Sequence, residues 1–172
     1  RRVPDDRLGV HNHGRCCGCG RLDLLQQGHR SDRVEVRIGA RDRSLDGGAS
    51  WQPTAMEFTQ EYSVPLVIHP KDTSTLFSAV ANSNPGDWKR PTGAESAMIR
   101  TIDGGNTWHQ LTKGLEGAGR DFPQAIVIDD ERPDTLYMTP RSGDLYASFD
   151  RGESWTTLSP KLPDVQDMKL VH

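Results

Sequence analysis

Short apolar runs broken by turn-forming residues, rather than long helical stripes, fill the second half of this chain. Val67-Ile68 leads into His69-Pro70-Lys71-Asp72, and a second run opens at Thr75-Leu76-Phe77. Sixty residues on, Val127-Ile128 leads into an Asp- and Pro-rich stretch, and a second run opens at Thr135-Leu136-Tyr137. Such a run, a turn and another run predict a strand, a turn and a strand. Met98-Ile99-Arg100-Thr101 then matches Leu145-Tyr146-Ala147-Ser148, and further on Leu111 matches Leu158 and Leu115 matches Leu162. Two sets of four strands follow, over residues 62–69, 75–81, 96–102 and 106–111, then 123–129, 135–139, 143–149 and 154–158. The tail from Val165 to Val171 reads as the first strand of a third set.

Within this pattern one motif occurs three times. Ser44-Leu45-Asp46-Gly47-Gly48-Ala49-Ser50-Trp51, Thr101-Ile102-Asp103-Gly104-Gly105-Asn106-Thr107-Trp108 and Ser148-Phe149-Asp150-Arg151-Gly152-Glu153-Ser154-Trp155 all read Ser/Thr-x-Asp-x-Gly-x-Ser/Thr-Trp. The spacings between their Asp residues, 57 and 47, are close to the roughly 40–50-residue period of a propeller blade. The chemistry suits a tight hairpin. The Asp carboxylate is expected to accept from backbone N–H groups about two residues ahead. Gly48, Gly105 and Gly152 are expected to take a positive φ. Position 151 carries Arg where the other copies have Gly, so the constraint there is weaker. Trp51, Trp108 and Trp155 each offer a large apolar plate with an indole N–H still to be satisfied.

This motif resembles the Asp box of BNR-repeat β-propellers, a family that includes sialidases, sortilin-type receptors, some endoglucanases and photosystem assembly factors. The resemblance covers residues 44–172. It implies an all-β fold, a partial β-propeller of four-stranded antiparallel blades: the end of one blade, two full blades and the start of another. It also implies that Asp46, Asp103 and Asp150 are structural, in turns between the third and fourth strands of their blades. A closed propeller needs at least four blades, so the chain reads as part of a longer protein.

Residues 1–43 differ. They hold ten Arg and no Lys, all three Cys, and no Phe, Tyr or Trp. Five and four residues before the box Asp, where the later copies have Met98-Ile99 and Leu145-Tyr146, the first has Arg41-Asp42. Residues 1–42 are expected to be irregular and to read as out-of-frame translation of a GC-rich gene, or else as a divergent or linker segment. The alternation Val34-Glu35-Val36-Arg37-Ile38 is the exception, as an edge strand beside the first box. His11, His13, Cys16, Cys17 and Cys19 supply zinc-type ligands but lie within nine residues, without the second pair that lets a structural zinc close a loop. No metal and no cofactor is therefore assigned.

Composition adds exclusions rather than a function. The net charge of −3 is too small to imply nucleic acid, and no apolar run approaches the ~20 residues of a membrane helix. The informative difference between the blades is the stretch from Ala81 to Ala97, roughly a dozen residues longer than its counterpart between Thr139 and Gly143. In a four-stranded blade this loop shares a face with the connections to the next blade, opposite the boxes. Trp88, Lys89 and Arg90 on it, with Arg120 on the connection, form the candidate ligand site for a protein or carbohydrate; the alternative is a solvated insertion pinned by Trp88. Long loops on rigid scaffolds often carry function. A sialidase-type centre would need converging Arg, a Tyr–Glu pair and an Asp. Glu61 and Tyr62, adjacent in a strand, point to opposite faces, and Arg37-Ile38-Gly39 does not match the Arg-Ile-Pro of such enzymes. No catalytic set is assigned, a glycosidase with catalytic residues outside the chain being the alternative. His69 and His109, beside turns, read as solvated.

Overall fold

The computed structural model describes residues 35–37, 42–46, 48–56, 58–60, 62–82, 84–158, 162 and 165–171. The His11–Cys19 cluster and nearly all of residues 1–42 lie outside that set. The chain divides into two compact units, residues 1–54 and 55–172.

In the first unit, β1 (Glu35–Arg37), β2 (Asp42–Ser44) and β3 (Gln52–Pro53) form a three-stranded antiparallel sheet. The alternation around Val36 does form a strand, pairing Val36 with Arg43. The first box is the hairpin between β2 and β3, whose register sets Asp42 opposite Pro53.

The second unit holds two sheets. β5 (Tyr62–His69), β6 (Asp72–Ala81), β7 (Ala97–Thr101) and β8 (Thr107–Leu111) are sequential antiparallel neighbours. So are β9 (Pro123–Ile128), β10 (Leu136–Pro140), β11 (Tyr146–Ser148) and β12 (Thr156–Thr157). These are the eight strands expected from the apolar runs, and the molecule is all-β. The helical content among the described residues is two single 3₁₀ turns, Asp87–Lys89 and Ala118–Arg120.

Two features depart from expectation. The first sheet has a fifth strand, β4 (Ala55–Met56), which adds in parallel to β8 with Ala55 opposite Thr107. The outer edge of β8 presents unpaired backbone groups, and a passing segment can satisfy them whatever its side chains. The tail, expected as a strand, forms none over residues 165–171. A strand is stable only when its backbone groups find a ladder. Here the nearby N–H groups go instead to the turn after β10, from Leu162 to Gly143 O at 2.8 Å and from Val165 to Arg141 O at 3.2 Å.

The core of this unit lies between the two sheets. Phe77, Met98 and Leu111 of the first pack in one cluster with Ile126, Leu136, Met138 and Trp155 of the second. β6 is buried continuously from Thr75 to Ala81 because both of its faces are covered. Phe77 and Leu136 are fully excluded from solvent, each contributing about 1.5–3 kcal/mol of burial. Gly152 lets the third box enter this core. A Cβ there would stand 2.9 Å from Leu111 Cδ1 and 3.2 Å from Phe77 Cε1.

Candidate functional site

The three boxes share one hydrogen-bond scheme, and it differs from the expected Asx turn. Each Asp reaches four residues ahead, not two. Asp103 Oδ1 accepts from Thr107 N at 2.9 Å and from the Thr101 hydroxyl at 2.7 Å, and Oδ2 accepts from the Thr107 hydroxyl at 2.7 Å. Asp46 has the same relation to Ser44 and Ser50, and Asp150 to Ser148 and Ser154. The leading hydroxyl works in both directions, donating to the Asp and accepting from the Gly N–H, at 2.7 Å for Gly48, 3.0 Å for Gly105 and 2.8 Å for Gly152. The Ser/Thr before the Asp is thus as integral as the Asp itself.

That scheme requires a left-handed residue at the Gly. Gly48, Gly105 and Gly152 have φ of 87°, 87° and 84°, which only Gly adopts without strain. The preceding position is left-handed as well, at 67° in Gly104 and 58° in Arg151. Arg151 is accommodated there by its contacts rather than by a looser backbone. The indole N–H finds its partner inside the box, donating to the Gly carbonyl at 3.1 Å in both Trp51 and Trp155.

These carboxylates are fully engaged. The Ser50 hydroxyl and N–H hold Asp46 down at a pKa of about 2. For Asp103, burial pulls upward, but the Thr107 N–H and the Thr101 and Thr107 hydroxyls outweigh it and leave the group at about 2. Asp150 is lowered in the same way, against its own burial. An acid held this low is no proton donor near neutral pH.

The box face also carries the turns between the first and second strands. Gly104 N donates to Ser74 O at 2.9 Å and Arg151 N to Asp134 O at 3.0 Å. His69, expected to be solvated, is instead 1% exposed. It ends β5 at this turn, where Arg151 from the neighbouring sheet covers it, with Nη2 3.1 Å from His69 Nε2. Pattern reading missed it because the covering residue is 82 positions away in sequence.

The opposite face carries the long loop. Trp88 stacks on Phe122, with ring centroids 4.8 Å apart and planes 17° from parallel, and meets Tyr62 edge-on at 5.2 Å. Its indole N–H donates to Asn82 O at 2.9 Å. The returning limb of the loop binds the connection between the blades, Ala94 N to Arg120 O at 2.9 Å and Ser96 N to Gly119 O at 2.8 Å. Gly93 N donates to Arg90 O, so consecutive loop residues tie Arg90 and Arg120 into one patch. Lys89, Arg90 and Arg120 are exposed, Arg90 pairing with Asp87 at 2.6 Å. The four candidate residues thus share a face, with one aromatic packed inward and three cations outward. Nearby, between the sheets, a cleft of ≈ 440 Å³ is lined by Gln60, Ser96, Met98, Gln110, Leu115 and Met138 among others.

Among the described residues no three His, Cys, Asp or Glu side chains gather as a metal-binding group, and no helix is long and apolar enough to cross a membrane. No protein-family model and no curated protein matches the chain. Solved structures do. An ancestral GH74 enzyme superposes with a TM-score of 0.56 at 13% identity over 93% of this chain and 20% of its own length. The GH74 enzyme of Niastella koreensis superposes with a TM-score of 0.52 at 15% identity over 81% of this chain and 19% of its own. YCF48 bound to D1 peptide matches at a TM-score of 0.49 and 18% identity, over 72% of this chain and 36% of its own. The chain spans about a fifth of the length of the two GH74 structures. Together with the sequential four-stranded sheets, the GH74 superpositions give it a β-propeller fold.

Proposed function

We propose that the chain is an Asp-box, BNR-type propeller module that binds a protein or carbohydrate ligand on its long-loop face. The observation that carries this reading is the construction of that face. The Trp88–Phe122 stack and the backbone bonds from Ala94 and Ser96 anchor the loop, so Lys89, Arg90 and Arg120 are presented on a preorganised surface. Preorganisation lowers the ordering cost of binding. On the other face of this unit the carboxylates of Asp103 and Asp150 are consumed by their own turns.

The test is titration of the chain with a panel of neutral and sialylated or uronic oligosaccharides and with basic and acidic peptides. Binding that weakens in Lys89→Ala, Arg90→Ala and Arg120→Ala, with folding retained, supports the assignment. Binding unchanged in the triple variant refutes it. The likeness to GH74 enzymes favours a second reading, a portion of a propeller glycoside hydrolase. On that reading the catalytic residues lie outside this chain, and hydrolysis of an aryl glycoside panel, including a sialoside, by the complete protein that persists in the Lys89, Arg90 and Arg120 triple alanine variant would replace the binding role with that one.

A further inference from the structure

The joint between the two sheets on the box face is built around a buried histidine in surroundings that offer it mainly hydrogen-bond donors. His69 Nε2 faces the Arg151 guanidinium at 3.1 Å, and His69 Nδ1 faces the Lys71 backbone N–H at 3.3 Å. Arg151 never gives up its proton, so it donates, and the ring must present a lone pair at Nε2. A neutral imidazole has one lone pair and one N–H, and the shorter contact decides where the lone pair sits. An imidazolium has none. With the lone pair at Nε2, Nδ1–H already meets the Lys71 N–H as donor against donor, and protonation puts the Arg151 contact in the same position.

Two carboxylates complete the joint. Asp134 Oδ1 takes Arg151 Nε at 2.6 Å and stands 3.8 Å from His69 Nε2, too far for a hydrogen bond. Asp72 Oδ2 lies 3.9 Å from Arg151 Nη1. Arg151 also fixes its own hairpin here, its N–H donating to Asp134 O at 3.0 Å and its carbonyl accepting from Arg100 Nη1 at 2.7 Å.

We propose that His69 is a proton-operated latch on this joint. In the neutral state it accepts from Arg151 and holds the guanidinium between His69 and Asp134. On protonation it cannot accept; its Nε2–H takes Asp134 as partner, and the Arg151 side chain is released toward solvent, to which it is already 42% exposed. The box hairpin of the second sheet then loses its tie to the His69 turn of the first sheet, and with Asp134 drawn toward His69 the bond from Arg151 N–H to Asp134 O within the second sheet opens more often. Burial, and next the Arg151 charge, lower the affinity of His69 for a proton, while Asp72 and Asp134 oppose them, so the release falls on the acid side of 6.5.

The second box supplies an internal control. Gly104 N–H makes the corresponding bond, to Ser74 O at 2.9 Å, in a hairpin where Gly replaces Arg151. The experiment is an NMR titration of the full chain from about pH 7.5 to about pH 5. It follows the His69 ring resonance together with amide protection, corrected for intrinsic exchange, at Arg151 and Gly104. The expected result is loss of protection at Arg151 along the His69 titration with Gly104 unchanged, and no such loss in His69→Gln. The latch is overturned if Arg151 and Gly104 lose protection in parallel, if His69 titrates while Arg151 stays protected, or if the loss persists in His69→Gln. Should that variant fail to fold, the comparison of the two amides in the native protein decides alone.

Discussion

Replacing Asp103 by Ala removes three hydrogen bonds at once, from the Thr107 N–H and from two hydroxyls at 2.7 Å. A single hydrogen bond to a charged group is worth about 1.5–3 kcal/mol, but these three share one carboxylate and one turn, and water reaches the freed donors at the surface. The fall of the pKa from 3.8 to about 2 caps the charge-dependent part at roughly 2.5 kcal/mol, and screening at a partly exposed site reduces it. The expected loss is about 1–3 kcal/mol, read as a shift of the urea midpoint at unchanged slope. The sign with pH follows from the lowered value. The contribution is complete above 3.8, shrinks as pH falls toward 2, and is absent below. The gap between native protein and Asp103→Ala therefore closes in strong acid, while ligand affinity of the folded variant stays unchanged. A variant within about 0.3 kcal/mol of the native protein at neutral pH, or one that loses affinity while keeping stability, would refute the structural role of the carboxylate.

Gly152→Ala is expected to cost more than Gly117→Ala in the same denaturation assay. Both positions have positive φ, but the new methyl meets Leu111 and Phe77 at Gly152 and open space at Gly117; strain alone costs about 1–2 kcal/mol and overpacking a further 1–3. Trp88→Ala removes the stack on Phe122 and should raise proteolytic nicking between residues 82 and 96, whereas Lys89→Ala, at an exposed site, should leave stability within about 0.5 kcal/mol.

The strands were legible because each is a short apolar run between turn residues, and a run such as Thr75-Leu76-Phe77 can hardly be anything else when Pro and Asp stand before it. The boxes were legible because their partners are four residues apart, within one glance along the chain. Even so, the reach of Asp103 was misjudged, since an Asx turn and this longer loop start from the same residue types and differ only in where the hydroxyl at 101 sends its lone pair. β4 was invisible for another reason. A two-residue parallel strand is selected by the vacant edge of β8, not by its own Ala-Met. On the loop face, Lys89, Arg90 and Arg120 could be placed together from topology, whereas the role of Trp88 depended on Phe122, thirty-four residues on.

Arg151 shows why such long-range choices matter more than local preference. By its own propensity an Arg at φ 58° is a poor substitute for the Gly found in the other two boxes. Its side chain spans the gap to Asp134 and His69, and its carbonyl receives Arg100, which also pairs with Glu153 at 2.5 Å. A Gly at 151 would relax the turn but leave His69 Nε2 without the guanidinium that covers it and Asp134 without its Arg151 pair. The position at which the third box departs from Gly is thus also one of the points at which the two sheets are chemically joined. In a repeat protein, where stability is a sum of unit and interface contributions, a departure of that kind moves stability from the unit to the interface. That makes the interface, rather than the hairpin, the place where a change in protonation can act.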